Sequence, residues 1–127
     1  MKLLYEVPEL PLGAWLAVLE PTAEVDLEAW LDLQVTRTGA PRKLATSAVE
    51  TARGWPGDFV TYEAGGRFIV AIVYRFFDLV AALVLGGLPP AWLAQHELEV
   101  TAALRAVEPD WVHDDPLALV ELWSELA

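Results

Sequence analysis

The groups that could do chemistry in this chain of 127 residues are two histidines, nineteen carboxylates and a scatter of hydroxyls. His113-Asp114-Asp115 has the donor types of a metal half-site, since imidazole and carboxylate both suit divalent transition metals. It lies between two helical segments and runs into Pro116, where acids commonly cap, so it reads as a solvated capping loop. His96 falls on a helix. Adjacent Glu97 cannot face it there, whereas Glu99 at i+3 can. Ser47 and Ser124 are outside any Gly-x-Ser-x-Gly elbow. Catalytic carboxylate pairs need opposed environments and a cleft. With nineteen acids, a pair chosen on paper carries no information. Gly65-Gly66 and Gly86-Gly87 are turn signals, not phosphate loops. There is no cysteine, which excludes disulfides, thiolate zinc sites and cysteine nucleophiles and fits a reducing compartment. No catalytic residue, metal or cofactor is expected.

Recognition is the better prospect. Six tryptophans are many for this length. Trp15, Trp30 and Trp123 fall on apolar faces and belong to a core. Trp55 lies in Arg53-Gly54-Trp55-Pro56-Gly57, a turn that also carries an arginine. Aromatic and arginine side chains are the usual anchors of protein interfaces, although a Trp here could also fold back over a sheet edge. The candidate partner-binding residues are therefore Trp55, Tyr62, Arg67, Tyr74 and Arg75. The aromatics would anchor and the arginines would pair with acidic groups. A competing arrangement is a ligand pocket between sheet and helices, with Tyr62, Tyr74, Arg75 and His96 as its polar groups. A purely structural subunit of a larger assembly is a third.

The formal charge of −11 repels nucleic-acid backbones. It is unevenly spread. Residues 37–75 hold six bases against three acids, between two strongly acidic ends. That basic island either pairs with acidic groups of the same fold or faces an acidic partner. The start of the chain lacks the apolar run of a signal peptide. The stretch 68–88 is interrupted by Tyr74, Arg75 and Asp78, so no membrane insertion is expected. A cytoplasmic location is the default.

These residues must be held by a single domain, residues 1–127. Pro8 and Pro11 keep residues 5–12 extended, and 14–19 is a short buried strand. Asp26 caps a helix carrying Leu27, Trp30, Leu31 and Val35 on one face, stopped near Gly39. Residues 43–52 form a strand of moderate polarity, 53–58 a turn-rich loop and 59–63 a strand. Gly65-Gly66 makes a hairpin to 67–76. A turn at 77–78 leads into 79–85, ended by Gly86-Gly87. Pro89-Pro90 start a helix with Leu93, Val100, Ala103, Leu104 and Val107 as its stripe. A last helix is expected over 117–126. This order predicts an α+β domain: an antiparallel sheet of about five strands with helices packed on it, in two layers or as an α/β/α sandwich.

A half-solvated strand alternates apolar and polar residues, and the two central strands do not. Phe68, Val70, Ile72, Tyr74 and Phe76 make one apolar face, and Ile69, Ala71 and Val73 begin another. Leu79 to Leu85 is apolar throughout. Two helices cover one face of a small sheet. The other face then requires a chain terminus, a second copy in a homodimer through the sheet, or another protein.

The order of elements also resembles a known group. A strand and helix precede the Arg53-Gly54-Trp55-Pro56-Gly57 turn. A Tyr-containing strand follows (59–63), then the two apolar strands, then a helix closing on Val107-Glu108-Pro109-Asp110-Trp111. Over about residues 12–111 this pattern is similar to the PsbP-like/DcrB-like α/β/α sandwich family, without a diagnostic motif and without that group's lipoprotein signal. The resemblance implies a non-catalytic adaptor, assembly or chaperone role. Some bacterial relatives pair with type VI secretion effectors and shield their apolar helices. It implies no particular site residues.

Overall fold

In a computed structural model, residues 3–22, 27–33, 40–50, 56–76, 79–106, 121 and 124–125 are described. Six strands form one sheet: β1 (Leu3–Val7), β2 (Trp15–Thr22), β3 (Arg42–Glu50), β4 (Pro56–Ala64), β5 (Arg67–Phe76) and β6 (Leu79–Leu88). Their spatial order is β1-β2-β6-β5-β4-β3, and every neighbouring pair is antiparallel. Among the described residues the sheet is accompanied by the short helix α1 (Leu27–Leu33) and the long helix α2 (Pro90–Ala106). The α+β class and antiparallel sheet are as expected. The strand count is six rather than about five, because residues 3–7 pair with β2 ahead of the Pro8–Pro11 punctuation.

Two further boundaries differ. β6 continues through Gly86 and Gly87 to Leu88, since Trp15 of β2 pairs opposite Gly86 and carries the ladder on. β2 continues past Pro21. The β6 register shifts between Leu19 and Thr22, so the missing N–H falls at an irregular stretch of the ladder. Pro56 and Gly57, expected in the loop, begin β4. Of the helix expected from Asp26 to Gly39, Leu27–Leu33 is described. Asp26 and residues 34–39 lie outside the described residues, as do Trp55, the turn at 77–78, His113-Asp114-Asp115, Trp123 and most of the expected last helix.

The doubly apolar sheet is observed. Val70, Ile72, Tyr74, Ala81, Leu83 and Leu85 point to one side, where Leu93, Val100 and Leu104 of α2 close over them. Ile69, Ala71, Val73, Ala82 and Val84 point to the other, where Leu27, Trp30 and Leu31 of α1 pack with Trp15. The sheet centre is thus buried on both sides within one chain. Each large apolar side chain so buried contributes about 1.5–3 kcal/mol. Trp15 and Trp30 meet with ring centroids 6.3 Å apart and planes tilted by 53°, a favoured aromatic geometry.

The helical segments follow from local chemistry. Pro90 opens α2, where its missing N–H costs nothing, and the Leu93 amide donates to the Pro89 carbonyl at 3.0 Å. His96 leaves helical geometry (φ −118, ψ 18) and interrupts the helix midway. No helix among the described residues is long and apolar enough to cross a membrane.

Candidate functional site

The sheet is covered unevenly. α2 packs on β5 and β6, so β3 and the outer part of β4 extend past it. β3 is an edge strand, and eight of its nine residues are exposed on both faces. Its composition (Arg42, Lys43, Leu44, then Ala, Thr, Ser and Val) supplies β-compatible residues with little apolar bulk to drive burial, and Leu44 itself is exposed. The register places Ala45 opposite Thr61 and Ser47 opposite Phe59, which puts these small residues on the α2 side of the sheet.

Between this open end and α2 lies a cleft of about 180 Å³. Phe59 and Thr61 of β4, Phe68 and Val70 of β5, and Leu93 and Glu97 of α2 line it. It arises because β4 alternates. Val60, Tyr62 and Ala64 turn into the α1-side core, leaving Phe59 and Thr61 half-exposed on the α2 side. A second, wider hollow lies at the far end of β3 and β4, bordered by Glu50, Asp58 and Arg105. There the Arg105 Nε donates to the Glu50 carbonyl at 2.8 Å.

The five candidate contact residues have different fates. Tyr74 is completely buried, and its hydroxyl donates to the Leu104 carbonyl at 3.1 Å. Tyr62 is 3% exposed and sits in the α1-side core. The two tyrosines therefore lie on opposite sides of the sheet, do not converge on one pocket, and offer no surface to a partner in this chain. Burial explains the correction. Each shares its strand face with apolar residues (Val60 and Ala64 with Tyr62, Val70 and Ile72 with Tyr74), and an aromatic body serves a core as readily as an interface. Arg67 is exposed, yet its Nη1 donates to the Leu12 carbonyl at 2.7 Å and the Gly87 carbonyl at 2.6 Å. Arg75 lies in β5 opposite Val80. Trp55 is outside the described residues.

Two of the six cations of the basic island pair with carboxylates of the same chain among the described residues. Arg42 pairs with Glu63 at 2.6 Å and Lys43 with Glu28 of α1 at 3.1 Å. His96 Nδ1 lies 3.0 Å from Glu99 Oε2, and its ring rests 4.5 Å from that of Trp92. Among the described residues, no group of three or more His, Asp or Glu is placed to hold a metal ion.

Sequence reasoning missed the cleft residues Phe59, Phe68, Leu93 and Glu97 as a set. A signal was present: Phe59-Val60-Thr61-Tyr62 puts an aromatic residue on each face of an outer strand, and only one face can be fully covered by a short helix.

No family model matches the chain, and no curated protein matches it. Among solved structures, the crystal structure of PA94, a protein of unknown function from Pseudomonas aeruginosa, is similar at 14% identity and a TM-score of 0.48. The match covers 83% of this chain and 80% of that one.

Proposed function

We propose that this chain is a non-catalytic protein-binding module, a chaperone or adaptor that receives a segment of another protein along the open β3–β4 end of its sheet. One observation carries the reading. α2 meets β3 through the Arg105–Glu50 bond at its C-terminal end, leaving the rest of an edge strand exposed on both faces beside an apolar cleft. An exposed edge offers unpaired backbone groups to an added strand, and the cleft offers a seat for a side chain. The DcrB-like resemblance supports the same kind of role, including service to a secreted effector. In the rival ligand-pocket reading, Tyr62, Tyr74 and His96 would have to converge, and they are dispersed over both sides of the sheet.

Site-specific photocross-linking tests the proposal in cells. A benzophenone side chain at Ser47 or Thr61 is expected to capture a discrete protein, whereas one at Gln95, exposed on α2 and outside the cleft lining, is not. Equal labelling at all three positions would count against it.

A further inference from the structure

Glu97 stands at the mouth of the α2 cleft. It is exposed, and no cation among the described residues pairs with it. Its helical neighbours at i±3 and i±4 are Leu93, Ala94, Val100 and Thr101, none of them charged. Two other acids on this side of the molecule have partners: Glu63 pairs with Arg42, and Glu99 Oε2 lies 3.0 Å from His96 Nδ1. Apart from Glu97, Thr61 is the only polar side chain among the described residues lining the cleft. A carboxylate with no cation paired to it among the described residues therefore borders an otherwise apolar hole.

The size of the hole limits what can enter. A benzene-sized group fits an apolar cavity of about 150 Å³, and this cleft offers about 180 Å³. It has room for one aromatic or branched side chain, not for the several successive anchors of a docked amphipathic helix. The formal charge of −11 adds a long-range bias toward cationic encounters.

We infer that the cleft selects a partner segment in which one bulky apolar side chain lies within two residues of a lysine or arginine. The apolar group would fill the space under Leu93, and the cation would meet Glu97. This rests on the reading of the cleft as a partner-binding site.

The test uses the full chain and 12-residue fluorescent peptides of Gly and Ser with one central Phe, flanked by Lys, by Glu or by neither. Fluorescence anisotropy gives the affinities, and circular dichroism confirms that each variant is folded. The Phe-Lys peptides are expected to bind at least fivefold more tightly than the Phe-Glu peptides. Glu97→Lys, at an exposed helix position, should reverse that order. Ala94→Trp, which places a large side chain in the cleft, should weaken binding at least tenfold. Binding of Phe peptides regardless of flanking charge would overturn the inference and leave the cleft as a binding site. Binding that survives Ala94→Trp unchanged, or no binding of any Phe peptide, would overturn both. Should Ala94→Trp fail to fold, the reversal by Glu97→Lys still decides the charge preference.

Discussion

Trp15 occupies the space that a side chain on Gly86 would need. The two residues pair across β2 and β6, and a Cβ added to Gly86 would fall inside the indole, well below contact distance of Cζ2 and Cε2. The indole is itself fixed, 2% exposed and packed against Trp30. Gly86→Ala is therefore expected to destabilise the chain by about 1–3 kcal/mol, the usual cost of overpacking. Urea denaturation followed by tryptophan fluorescence measures it. An unchanged midpoint would mean that Trp15 is free to move aside.

Gly87 adds a backbone requirement to the same corner. Its φ is +71, and an added Cβ would lie 2.6 Å from the Gly13 carbonyl oxygen. Gly87→Ala combines left-handed strain with a clash against backbone, which cannot swing away as a side chain can. Its cost should exceed about 1 kcal/mol, whereas Gly66→Ala, at φ +77 with open space around it, should cost only the conformational part. The difference between the two midpoints isolates the clash.

The Tyr74 hydroxyl donates to the Leu104 carbonyl and so ties the end of α2 to the sheet. Tyr74→Phe keeps the packing and deletes the bond. A loss of about 0.5–1.5 kcal/mol is expected, with faster amide exchange concentrated near Leu104. Uniform acceleration along α2 would show that the bond does not hold this end in particular.

The ion pairs should contribute far less. Arg42–Glu63 and Lys43–Glu28 are both solvent-exposed, and such pairs are worth about 0–1 kcal/mol. Arg42→Ala is expected to shift stability by less than Tyr74→Phe does, and 1 M salt should erase the shift. A larger, salt-insensitive loss would reveal a packing role for the arginine stem.

Much of this architecture was legible in the sequence. The absence of alternation in 68–76 and 79–85 announced a sheet apolar on both sides, and the structure sorts those residues onto the two faces as the period of two requires. How the second face is covered was not legible. Leu27, Trp30 and Leu31 make a stripe of only seven helical residues, and the side of the sheet on which a helix docks depends on connections that periodicity does not encode. Strand limits misled where glycine or proline does not end a strand, as at Gly86 beneath Trp15 and at Pro21, where the β6 register shifts. The candidate site suffered from the same ambiguity. Tyr62 and Tyr74 have the composition of interface anchors and the environment of core residues. Glu97 carried no signal among nineteen acids until the fold placed it beside an apolar cleft.

Backbone amide chemical-shift mapping of the whole chain, titrated with the tightest-binding Phe-Lys peptide, bears most directly on the idea that the sheet end uncovered by α2 is where another protein docks. Perturbations are expected to gather at Ser47, Phe59, Thr61, Leu93 and Glu97. Shifts confined to the opposite edge, Leu3–Val7, or spread evenly over the surface, would contradict it.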